Sequence, residues 1–87
     1  MIVIRDVAPA APVHVLMIPK AHTENIITAE PELILYMFGK VKELAEKLGV
    51  NEKGFRIVAN TGDDGGQTVK HLHIHLLGGK ALGWPPC

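Results

Sequence analysis

The feature that most constrains this chain is a seven-residue run near its C-terminus, His71-Leu72-His73-Ile74-His75-Leu76-Leu77. Histidine alternates with an aliphatic residue, and period two is the mark of a half-buried β-strand. Successive strand side chains point to opposite faces, so His71, His73 and His75 share one face while Leu72, Ile74 and Leu76 share the other. The aliphatic face requires a core to pack against. Three neutral imidazoles on the other face pack poorly, and each needs a hydrogen-bond partner. That face is the candidate for chemistry.

The remaining segments read as a scaffold for this strand. Ile2 to Arg5 is a short apolar strand ended by Asp6, and Pro9 and Pro12 keep the following connection extended. Val13 to Ile18 is a second strand, stopped by Pro19, with His14, Leu16 and Ile18 on one face. A helix is predicted from Pro31 to Leu48: Pro31 suits a first turn, Glu30 and Glu32 the positive end, and Lys47 and Gly49 the close. Leu33, Met37, Val41, Leu44 and Leu48 recur at helical spacing and mark its buried stripe. Its first half, Leu33 to Phe38, is apolar all round and calls for cover on a second side, from a second copy of the chain or from its own loops. Phe55 to Ala59 is a third strand, Asn60 to Gly66 a turn-rich loop, and Gly78-Gly79 ends the histidine strand before an irregular apolar tail. Strand, strand, helix, strand, strand, with short connections, predicts an α+β fold: an antiparallel sheet of about four strands with one long helix packed on it.

Composition removes several function classes. With 87 residues the chain is expected to be one domain, 1–87, and so small a domain buries only roughly 60–65 % of its unfolded surface. Zero formal net charge argues against binding to nucleic-acid duplexes, which calls for a basic stripe. Cys87 is the single cysteine, so neither an internal disulfide nor a thiolate zinc pair can form, which suits a reducing, cytoplasmic setting. No apolar run approaches the roughly 18 residues of a membrane span, and Arg5-Asp6 interrupts any signal-peptide core. Asp63-Asp64 reads as a solvated turn, since the downstream glutamate of a calcium loop is missing.

Two chemical readings of the imidazole row stand open. Alternate histidines can grip zinc through ring nitrogens. Alternatively, one ring attacks phosphorus through one nitrogen while an acceptor holds the other. The loop directly upstream, Gly65-Gly66-Gln67-Thr68, offers free amides, a side-chain amide and a hydroxyl of the kind that contact phosphate, and so favours the second.

The run Gly65 to Leu77 resembles the signature of the histidine triad (HIT) family, His-φ-His-φ-His-φ-φ with φ hydrophobic. Arg5 to His14, Ile18-Pro19-Lys20-Ala21-His22, Val58-Ala59-Asn60, Leu77-Gly78-Gly79 and Trp84-Pro85-Pro86 are similar in turn to its Hint branch, so the resemblance spans essentially the whole chain. It implies a homodimer, with two sheets joined into one, that cleaves the phosphorus–nitrogen bond of purine nucleoside phosphoramidates without a metal or other cofactor. By position in the motif, His73 would be the nucleophile and His71 and His75 would orient it and contact the phosphate. His14 would be the fourth histidine supporting the nucleophile. Asp6 would bind the ribose hydroxyls and Val7 would line the base pocket. Asn60, Gly66, Gln67 and Thr68 would surround the phosphate and leaving group, and Trp84 would reach toward the partner's site. His22 is expected to be structural. Hint-like proteins usually carry a further segment before Ile2 that helps enclose the base, so the resemblance implies an N-terminally shortened form with a less enclosed pocket.

Overall fold

In the computed structural model, which describes residues 1–85, four strands form one antiparallel sheet: β1 (Ile2–Arg5), β2 (Val13–Ile18), β3 (Phe55–Val58) and β4 (Ile74–Gly78). Their order across the sheet is β1-β2-β4-β3, so the two central strands are those that carry histidines. Pro86 and Cys87, the one thiol, lie outside the described residues.

Register puts the two sides of the alternation to different uses. Val15 pairs with Leu76 and Met17 with Ile74, while Leu16 pairs with His75 and His14 with Leu77. Directly opposed residues in an antiparallel pair share a face. Val15, Met17, Ile74 and Leu76 therefore form one apolar surface, and all four are buried. The helical layer covers that surface. Ala45 and Val50 pack with Val15 and Leu76, and Met37 packs with Met17, Leu72 and Ile74. Leu33, Val41, Leu44 and Leu48 flank these two clusters, so the stripe read from spacing is the packed one.

The helix from Pro31 to Leu48 is divided at Lys40 into α1 (Pro31–Gly39) and α2 (Val41–Leu48). Gly39 is a poor helix former at mid-length. The Lys40 amide bonds three residues back, to Met37 O at 3.1 Å, a tightened turn at the junction. α2 ends at Gly49, whose φ of 73° lies in the left-handed region, and Val50 N–H closes the end on Ala45 O at 3.0 Å. β4 begins at Ile74, later than the alternation alone implies, so His71 and His73 precede the ladder. Alternate burial nonetheless runs unbroken from His71 to Gly78.

Leu76 is fully buried between the central strands and α2. Leu76→Ala is expected to lower the unfolding free energy by about 2–5 kcal/mol, read by urea denaturation.

Candidate functional site: an imidazole-lined sheet face

The face turned away from the helices carries His14, Leu16 and Ile18 from β2, and His75 with Leu77 from β4. Arg56 and Val58 lie on β3, opposite Leu77 and His75 respectively. An open cleft of about 280 Å³ on this face is lined by Leu16, Ile18, Val69, His71 and His73.

Backbone partners fix the ring tautomers, because an amide can only donate and a carbonyl can only accept. Ala10 N–H donates to His14 Nδ1 at 3.0 Å. A neutral His14 then carries its proton on Nε2, which donates to His75 Nδ1 at 2.9 Å, with Asp6 Oδ2 3.5 Å away. His75 is left with its proton on Nε2. The His73 ring is held in the opposite sense: its Nδ1–H donates to the His71 carbonyl at 2.8 Å, so His73 Nε2 is a bare lone pair. The two rings stand 5.1 Å apart, edge to face. A donor and a lone pair thus stand side by side. Burial, then repulsion from His73 and His14, lowers the His75 pKa from its ordinary 6.5, while Asp6 acts in the opposite sense.

His71 is anchored at both ring nitrogens. Its Nε2–H donates to Pro19 O at 3.1 Å, and its Nδ1 faces His22 Nδ1 at 3.0 Å. Sequence reasoning left His22 outside the site because no local pattern links a Pro-Lys-Ala-His connection to residue 71; only the fold brings the rings together. The same stretch reaches the histidine segment twice more. Leu72 N–H donates to Thr23 O at 2.7 Å, and Gln67 Nε2 to Glu24 O at 2.7 Å.

The other expected contacts divide. His14 supports His75, whereas the His71 carbonyl holds the expected nucleophile. Asp6 lies beside His14, and its Oδ1 accepts from Ala8 N–H at 2.8 Å. Gln67, expected at the phosphate, commits its whole side chain to the protein. Nε2 donates to Glu24 O and Val69 O, while Oε1 accepts from Gly62 N–H at 3.0 Å and from Asn25 Nδ2 at 3.3 Å. No side-chain donor or lone pair is left over. Asn60 Nδ2 donates to Gly65 O at 2.7 Å, bracing the same loop. Gly65 is required by space, since a Cβ there would collide with the Thr61 backbone. Gly66 adopts a left-handed φ of 74°, and Thr68 is exposed. Val7 projects wholly into solvent and Trp84 is 82 % exposed. The tail before Trp84 is tied down by Arg56 Nη2–H donating to Gly83 O at 2.8 Å.

Asp6, His14 and His75 lie close enough to be tested as metal ligands. Zinc would need a lone pair at His14 Nε2, but the Ala10 amide takes the Nδ1 lone pair and leaves Nε2 protonated. The donor set fits a cation poorly.

An α+β sheet with helices on one face and tautomer-fixed histidines on the other defines a histidine-lined cleft protein. Comparison makes the class specific: the HIT domain model matches residues 1–82, and the chain belongs to the HIT family. An uncharacterized HIT-like protein of Synechococcus elongatus is 55 % identical over 85 residues, covering 94 % of this chain and 74 % of that protein. A HIT family hydrolase of Legionella pneumophila superposes with a TM-score of 0.92 at 42 % identity, covering 98 % of this chain and 79 % of that one. A histidine triad protein of Clostridium difficile gives 0.88 at 37 % identity, covering 93 % and 73 %.

Because the folded His75 binds its proton more weakly than the unfolded one, protons favour the unfolded chain. The associated stability is present above pH 6.5 and is lost as pH falls through 6.5 toward the lower folded value. Denaturation curves across that range should show this decline, and His75→Gln should flatten it.

Proposed function

We propose that this chain is a nucleotide hydrolase of the Hint branch that cleaves the phosphorus–nitrogen bond of nucleoside 5′-phosphoramidates, with purine mononucleotides as products. The observation that carries this reading is the bond from His73 Nδ1–H to the His71 carbonyl, which leaves Nε2 unprotonated and able to attack. In the first step His73 Nε2 bonds to phosphorus, the phosphorus–nitrogen bond breaks, and the amine takes up a proton as it leaves. In the second, water displaces the nucleotidyl group from His73 and releases a proton, so the two steps balance. His75 Nε2–H is available to donate to the phosphoryl oxygens as charge builds on them. The apolar walls Leu16, Ile18 and Val69 suit a nucleoside, and Asp6 is assigned to its ribose hydroxyls. Gly66 and Thr68 supply the phosphate loop, which Asn60 and Gln67 brace. No cofactor enters the scheme, and the cytoplasm is the proposed compartment; among the described residues no helix is long and apolar enough to cross a membrane.

A second reading, a nucleotide-binding or protein-interaction module with little or no turnover, is favoured by the exposure of Val7 and Trp84 and by the fully occupied side chain of Gln67. One experiment separates the two. Incubated with adenosine phosphoramidate, the wild type should release AMP and His73→Ala should be slower by on the order of 10³-fold or more. A nucleotidyl adduct should appear on His73 by mass spectrometry of the quenched reaction. Equal release by both proteins sinks the hydrolase reading.

We further propose that two copies associate through the outer side of the helical layer and the free edge of β3. Leu35 is 75 % exposed, and Tyr36, Phe38 and Phe55 are also exposed. Phe38, Val41, Ala45 and Phe55 line one continuous groove beside that edge. So much exposed apolar surface on a small chain marks an interface. Light scattering should report a dimer for the wild type, and Leu35→Lys with Phe38→Lys should shift it to the monomer mass.

A further inference from the structure

We propose that His22 is a positioning residue of the imidazole face. By donating Nδ1–H to His71 Nδ1, it holds the His71 ring, whose tautomer Pro19 O sets, and with the ring the carbonyl that keeps His73 Nε2 unprotonated. This rests on the hydrolase reading for its consequence in turnover, but not for its geometry.

The assignment follows from partners whose roles are fixed. Pro19 O can only accept, so His71 Nε2, 3.1 Å away, carries the proton. A neutral His71 then has a bare Nδ1. Among the described residues the nitrogen facing it is His22 Nδ1 at 3.0 Å, which must be the donor. The ring centroids are 5.0 Å apart and tilted by 54°, as expected of an in-plane hydrogen bond between two imidazoles rather than a stack. His22 Nε2 is left bare toward solvent.

What His22 holds is otherwise weakly held. Strand pairing begins at Ile74, so the peptide of His71 lies outside the β2–β4 ladder. Its neighbour Leu72 is fixed by one bond to Thr23 O. The two ring bonds of His71 supply the missing restraint, one from each side of the imidazole. Since the His71 carbonyl accepts the proton of His73 Nδ1, movement of residue 71 would release the nucleophile's tautomer.

The test compares wild type, His22→Phe, His22→Ala and His22→Asn. Phenylalanine keeps a ring without a donor, alanine removes the donor without adding bulk, and asparagine places an N–H near the lost Nδ1 position. Long-range proton–nitrogen NMR of the His73 ring is expected to show the Nδ1–H tautomer in wild type and His22→Asn. In His22→Phe and His22→Ala it should show a tautomer mixture. With a nucleoside phosphoramidate, kcat should fall about ten- to a hundredfold in the Phe and Ala variants, with KM nearly unchanged, and recover substantially in His22→Asn. An unchanged His73 tautomer in the Phe and Ala variants overturns the proposal, as does equal impairment of all three. A wild type without turnover would remove the hydrolase reading alone, and the tautomer comparison would still decide the role of His22.

Discussion

Everything on the imidazole face depends on the pairing of β2 with β4. These two strands occupy the centre of the sheet, and each alternates a core residue with a residue of the site. Their register matches Val15 to Leu76 and Leu16 to His75, so helix packing on one side holds the histidines on the other. A slip of one residue would turn the buried leucines outward and the imidazoles into the core. The energy that keeps the site in register is therefore apolar burial on the opposite face.

Within that frame the histidines form two separate chains of hydrogen bonds. One begins at the Ala10 amide and passes through His14 to His75. The other joins His22 and Pro19 to His71, whose carbonyl holds His73. Main-chain groups cannot exchange the roles of donor and acceptor, so each chain imposes a direction on rings that could otherwise carry their proton on either nitrogen. The outcome is a lone pair on His73 next to a donor on His75. Neither ring is special in composition; their difference lies in what the backbone offers them.

Much of the fold was legible in the sequence. β1 and β2 begin and end where their β-branched runs meet Asp6 and Pro19, and the helical stripe from Leu33 to Leu48 packs as its spacing implies. The break at Lys40 was not read, although Gly39 was its local signal. The late start of β4 was hidden because alternation continues through His71 and His73 without partner strands. In the site, the imidazole row was visible as a pattern, but the partners of its members were not. His14 meets His75, Gln67 meets Asn25, and His22 meets His71 across separations of 61, 42 and 49 residues. Periodicity describes which face a side chain takes, and tertiary packing decides what it finds there.

The occupied side chain of Gln67 has a consequence for how this run of residues is to be understood. Gly65 is there because a Cβ would strike Thr61, and Gln67 because four neighbours need its amide. Half of the loop before the histidines is thus joinery. Reactivity and loop shape are encoded by different letters of one short word, and substitution can erase either while leaving the other intact. A chain could keep this glycine–glutamine spelling with an inert ring at position 73, and would still be recognised by its shape.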